Sequence, residues 1–284
     1  MKVVGRTLKM LFLIAGCVAL LFLFVASVFL GQIPSDKEIR SCLTTKLYQV
    51  KLCPGSSSYV KYSQISQYLV KAVVLTEDSS FWQHNGFDFG ELQKSLETNL
   101  KKGRYARGGS TITQQLAKNL FLTKEKTMTR KGLEAVITLR LERVLTKKEI
   151  LERYLNVVQF GKDLYGVKAA AQFYFQKSPS QLDVVESAFL AFLLPSPENY
   201  SKSFFRKQLT PFARARLNQI VERLYEYERI NGDEYETARA KIAHLWGPPP
   251  ATIEEDPAVE AIDEERIEQQ IQEFGEELEP TTEN

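Results

Sequence analysis

Between Met10 and Gly31 the chain runs for 22 residues without a charged side chain. No other feature restricts what the chain can become as strongly. At about 1.5 Å per residue, a helix of that length crosses a hydrocarbon core of about 30 Å. A cleaved signal peptide has an apolar region of only about 7–15 residues, which this stretch exceeds. Leu13-Ile14-Ala15-Gly16-Cys17 looks like the box that precedes a lipidated cysteine, but the chain stays apolar after Cys17, where a mature lipoprotein turns polar. Residues 10–31 therefore read as an uncleaved transmembrane helix. Lys2, Arg6 and Lys9 precede it, whereas the charges of Asp36, Lys37, Glu38 and Arg40 cancel after it. The positive-inside bias then places residues 1–9 in the cytoplasm and everything after Gly31 outside.

With 44% apolar and 25% charged residues, the remainder has the composition of a globular protein rather than of a fibrous or disordered one. Its charge is unevenly spread. From Pro248 to Asn284 there are 13 acidic residues and one basic residue, Arg266, which leaves the preceding chain with a net charge of about +14. Such a body expects an anionic partner, and a domain held outside a membrane meets phosphorylated lipids rather than nucleic acid. Cys42 and Cys53 lie on the outer side, where they either pair across a short loop or stay as thiols. With only His84 and His244 and no Cys-x-x-Cys, an ordinary zinc site has too few ligands.

Residues 32–62 read as a connector and residues 63–246 as a mainly helical domain. Apolar residues recur at three- and four-residue spacing over 67–77, 111–122, 130–145, 146–160, 182–194, 211–231 and 233–244. Thr146-Lys147-Lys148-Glu149 fits a capping box, and Pro195 with Pro197 stops the apolar segment before them. Residues 247–284, opening on Gly247-Pro248-Pro249-Pro250, read as an acidic disordered tail.

Two stretches can carry chemistry. In the first, Glu77 and Asp78 end a strongly apolar run and are followed by Phe81, Trp82 and His84. An acid emerging from such a wall has its pKa raised by desolvation, as a base working near neutral pH requires; the alternative is a helix end paired to nearby cations. In the second, nine basic residues lie between Lys101 and Lys131 against one acid, Glu125. Here Arg107-Gly108-Gly109-Ser110-Thr111 opens a helix whose free N–H groups favour an anion, and Ser110, Gln114 and Lys118 recur every four residues. A solvated basic face is the alternative to a pyrophosphate site. Glu134, one turn after Arg130-Lys131, is a second carboxylate in surroundings opposite to those of Glu77.

Glu77-Asp78-x-x-Phe81-x-x-His84-x-Gly86-Phe87-Asp88 comes first of four motifs. Arg107 to Leu122, Arg130-Lys131-x-x-Glu134 and Lys148-x-Ile150-Leu151-x-x-Tyr154-Leu155-Asn156 follow it in order. They resemble the successive signatures of the peptidoglycan glycosyltransferases, glycosyltransferase family 51, over residues from about 63 to 200. The resemblance implies a lysozyme-like helical fold with an apolar lobe on the membrane, in the bacterial inner membrane and facing the periplasm. It implies polymerisation of lipid II: the glycan on an undecaprenyl pyrophosphate carrier passes, with inversion, to the 4-hydroxyl of the N-acetylglucosamine of lipid II. By position, Glu77 resembles the general base and Glu134 the second catalytic glutamate near the donor pyrophosphate. Asp78, Lys94, Arg107, Gly109, Ser110, Thr111, Gln114, Lys118, Asn119, Lys126 and Arg130 would line the substrate sites. Lys94 and Lys126 stand where many members have Arg, which removes a bidentate fork to phosphate. Mg2+ or another divalent cation at the pyrophosphate is the only cofactor implied, with no protein ligand assigned, and cell-wall synthesis proteins are the partners to expect.

Two other readings use the same residues. A lysozyme-like hydrolase would use water in place of the sugar hydroxyl, although cutting a glycan needs no pyrophosphate site. A non-catalytic scaffold would hold lipid II through the basic face.

Overall fold

The structure is a computed structural model that describes residues 13–21, 23–24, 27, 29–103, 108–125 and 127–246. The expected cytoplasmic segment 1–9 and the acidic tail lie outside these residues, as do Arg107 and Lys126. Residues 13–30 are helical where described, with Leu13, Leu20, Leu21, Phe24 and Leu30 exposed. Among the described residues no helix is long and apolar enough to cross a membrane, and the expected span 10–31 falls partly outside them.

The domain is built almost wholly of helices. Helix α1 (Asp36–Arg40) is started by a capping box in which Glu38 accepts the Ser35 N–H at 2.7 Å. A two-residue antiparallel pair follows, β1 (Leu43–Thr44) with β2 (Lys51–Leu52), closed at its base by the Cys42–Cys53 disulfide. Then come α2 (Gln67–Glu77), α3 (Phe89–Lys102), α4 (Ile112–Phe121), α5 (Met128–Val144) and α6 (Lys147–Val157). A second small hairpin, β3 (Gln159–Gly161) with β4 (Leu164–Tyr165), leads into α7 (Val167–Phe175) and α8 (Val184–Leu193). Short α9 (Pro197–Tyr200) and α10 (Lys202–Phe205) precede α11 (Pro211–Glu226) and α12 (Gly232–His244).

The apolar run of α8 is buried over all ten residues and forms the centre, with α2 and α11 packed against it. Leu69 and Val73 of α2, Phe189 and Leu190 of α8, and Leu217 and Val221 of α11 are sealed from solvent, each such side chain contributing about 1.5–3 kcal/mol. Glu186 is the one charged residue on α8. It is buried and neutralised by Lys177 at 2.8 Å and Lys241 at 3.1 Å, since an unpaired charge there would be costly. Beside this layer, α4 lies between α5 and α6.

Residues 32–62 are more than a connector. Ile39, Leu52 and Val60 enter the same core as α2 and α8, so the folded unit starts before residue 63. The short pieces that carry them lack a repeating apolar pattern, which is why local periodicity missed them. The turn of the β1–β2 pair has a further role, because Lys46 N–H donates to Leu120 O at 3.0 Å and Leu47 N–H to Asn119 O at 3.3 Å. These bonds take up carbonyls in the last turn of α4 that a helix end leaves open. Breaking the disulfide by Cys42→Ser, or by reductant, should lower stability by about 3 kcal/mol, read as a drop in melting temperature that reductant no longer deepens in the variant. An equal melting temperature in both proteins without reductant would mean that the bridge does not brace this turn.

Candidate active site

Glu77 is the last residue of α2, and α4 meets it from the side. The Gln115 amide donates Nε2–H to Glu77 Oε2 at 2.9 Å, and the Tyr154 hydroxyl donates to Gln115 Oε1 at 3.0 Å. Tyr154 sits on α6 with no exposed surface, while Gln115 and Glu77 are half-buried, so one hydrogen-bonded chain links α6, α4 and the end of α2. Desolvation pushes the Glu77 pKa up to about 7, and the neighbouring Asp78 charge adds to this. The Gln115 bond and the Lys118 ammonium oppose the rise without cancelling it. A carboxyl with this value is half ionised near neutral pH and can take a proton from an alcohol.

Asp78, the next residue, is buried and faces inward. Its Oδ2 accepts the Ile112 N–H at 2.9 Å, and Oδ1 lies 2.8 Å from His84 Nε2. His84 Nδ1 accepts the Gly86 N–H at 3.1 Å, which leaves the ring proton on Nε2 for Asp78. Gly86 has φ +93, and a Cβ there would stand 2.8 Å from Thr138 Cγ2, so glycine alone fits. Its carbonyl accepts the Thr111 hydroxyl at 2.7 Å. Thr111 in turn caps α4 in a capping box with Gln114, whose Oε1 accepts the Thr111 N–H at 3.0 Å. Asp78, Thr111 and Gln114 thus have polar atoms engaged in holding the start of α4. The glycine loop before it rests on α3, where Ser95 donates to Gly108 O at 3.1 Å and Gly109 closes on Ser95 and Leu92. Ser110 stays half-buried at the loop's end, and Asn119 is buried in the last turn of α4.

Glu134 stands on α5, beside α4. It is buried and held by two cations, Arg130 at 3.0 Å and Lys131 at 2.6 Å. The buried Arg130 Nε finds no acceptor among the described residues. Lys94, on α3, is mostly exposed and paired with Glu91 at 2.9 Å. No group of three or more His, Cys, Asp or Glu side chains suited to a metal occurs among the described residues.

Residues 45–225 match the family model described as transglycosylase. The chain belongs to the transglycosylase family. It is 46% identical over 166 residues to the biosynthetic peptidoglycan transglycosylase of Nitrosospira multiformis, covering 58% of this chain and 70% of that one. It is 41% identical over 211 residues to the protein of that name from Dechloromonas aromatica, covering 72% and 90%. Penicillin-binding protein 1A of Aquifex aeolicus is 42% identical over 63% of this chain, which spans only 24% of that longer protein.

Within this transglycosylase, Lys118 acts on the Glu77 carboxyl, but the sequence did not reveal the contact that holds Glu77. Gln115 and Tyr154 both lie inside the quoted motifs. Nothing in their spacing marks them as partners, because 39 residues separate them and only the packing of α4 on α6 joins them. Helix α3 also went unassigned, although Phe89, Leu92, Leu96 and Leu100 have helical spacing. Charged and polar residues around them hid an apolar stripe that turns out to face solvent.

Proposed function

We propose that this chain polymerises lipid II into glycan strands, with Glu77 as the base and the cations of α4 and α5 at the departing pyrophosphate. The observation that carries this reading is the Glu77 carboxyl, pushed up to about 7 by burial yet held by Gln115 of the same helix that carries Lys118. In the reaction, Glu77 removes the proton from the 4-hydroxyl of the acceptor N-acetylglucosamine as that oxygen attacks C1 of the donor glycan. The bond from C1 to the pyrophosphate oxygen breaks with inversion, and undecaprenyl pyrophosphate leaves with the electron pair. Its growing charge needs fixed cations. In this reading Lys118 and Arg130 supply them, and Arg130 Nε is a buried donor without an acceptor among the described residues. Ser110, Gly109, Asn119, Arg107, Lys126 and Lys94 complete the substrate contacts in this reading.

A divalent ion fits the chain's own carboxylates poorly, because Glu134 is already bound through both oxygens by Arg130 and Lys131. Any Mg2+ is proposed to come with the pyrophosphate oxygens, and no step here depends on it.

The location proposed is the inner membrane, with residues 10–31 as the anchor and the domain lysozyme-like and outside. Phe89, Leu92, Leu96 and Leu100 support a second contact with the bilayer. They form one face of α3 and are each more than half exposed, as is Met128 at the start of α5. Confinement of enzyme and lipid substrate to one surface raises their effective concentration.

The test is incubation of the full chain with lipid II in liposomes, followed by separation of the products by length. Glycan strands are expected. Soluble fragments released from finished peptidoglycan would favour the hydrolase, and lipid II binding without any product would favour the scaffold.

A further inference from the structure

We propose that Gln115 and Tyr154 form a positioning relay for Glu77, in which Tyr154 sets the orientation of the Gln115 amide and the amide fixes the carboxylate. The inference rests on the reading of Glu77 as the base and deepens it.

The argument starts from the two unlike ends of an amide. If Gln115 presents Nε2, it stabilises the Glu77 anion; if it turns over, its oxygen faces a carboxylate and repels it. Something must select the first arrangement. The ionised Glu77, an acceptor only, favours it, and Tyr154 supports it by donating its hydroxyl to Gln115 Oε1 at 3.0 Å, which leaves Nε2 to donate to Glu77 Oε2 at 2.9 Å. Burial raises the Tyr154 pKa well above its usual value, and the Glu77 charge adds to this, so its O–H stays a donor across any working pH. Tyr154 has no exposed surface and cannot touch substrate. With Oε2 taken by Gln115, Oε1 is the oxygen assigned to receive the acceptor proton.

The relay also sets the charge balance. Asp78 beside Glu77, Lys118 on α4 and Tyr154 on α6 act on the carboxyl or are acted on by it. Tyr48, between β1 and β2, acts on Tyr154, while His84 and Lys147 act on Asp78. Among these contacts, the Gln115 bond is the leading influence that favours the ionised form of Glu77. Removing it should make Glu77 harder to ionise.

The experiment is the pH dependence of lipid II polymerisation by the full chain and by Gln115→Met and Tyr154→Phe, with melting temperatures measured alongside. The rate of the unaltered chain should rise with pH through about 7. A hydrogen bond to a charged group is worth enough to move that limb up by about 1 pH unit in Gln115→Met. Tyr154→Phe leaves the amide in place and frees it to turn, so a smaller shift in the same direction is expected. Both variants should regain most of their activity at pH 9, with the KM for lipid II within about twofold of the parent. Equal losses at every pH, with the limb unmoved, would overturn the relay and leave both residues as packing. Glu77→Gln separates the two levels: if that variant polymerises normally the base assignment itself fails, and if it is inactive while the limb stays put only the relay fails.

Discussion

Glu77→Gln should abolish glycan formation while making the protein more stable above neutral pH. Loss of a general base costs about 10²–10⁴ in rate, and glutamine keeps the shape and the bond to Gln115 without accepting a proton. The stability effect has a separate origin. The folded-state pKa of Glu77 is raised from 4.5 to about 7. Between those values the unfolded chain ionises while the folded one retains its proton, so stability falls as pH rises through that window and the full penalty is present above it. For a partly buried group, a shift of this size corresponds to a penalty on the order of 1–3 kcal/mol. Glu77→Gln should therefore melt a few degrees higher than the parent at pH 8 and at about the same temperature at pH 4. A variant that kept the parental rate would end the assignment of Glu77, and one that melted lower at pH 8 would contradict the desolvation account.

Asp78→Ala should have the largest effect on folding of any single change near the site. Although the two residues are neighbours, Asp78 acts differently from Glu77. Its carboxylate receives the first N–H of α4 and the ring proton of His84, both in the interior. Truncation leaves the Ile112 N–H and the His84 ring without their acceptor, a loss of about 2–4 kcal/mol. Because α4 then loses an anchor at its start, Gln115 and Lys118 should shift against Glu77, and a misplacement of that kind lowers the rate about 10–100-fold. Thermal melting and single-turnover assays on the same preparation check both effects. A protein that melts normally but binds lipid II weakly would instead make Asp78 a substrate contact, the role its motif position suggests.

Set side by side, these two carboxylates show how far one-dimensional pattern reaches. The apolar run before Glu77 already pointed to a desolvated acid, although a helix end paired to nearby cations fitted the same residues. Helices α2, α4, α6 and α8 were legible because apolar spacing is a local property. What Asp78 does was not legible, since its partners come from a loop six residues on and a helix 34 residues on. The same holds for the folded part of residues 32–62, where single side chains such as Ile39 reach a core assembled from distant helices.

The order of residues thus determined by itself several of the helices and where positive charge concentrates, because each depends on neighbours a few positions away. The tertiary structure alone decided that Gln115 rather than Gln114 meets Glu77, that Tyr154 stands behind it, and that the α3 stripe is exposed. Those outcomes depend on which helix faces which, and that follows from packing the whole core at once.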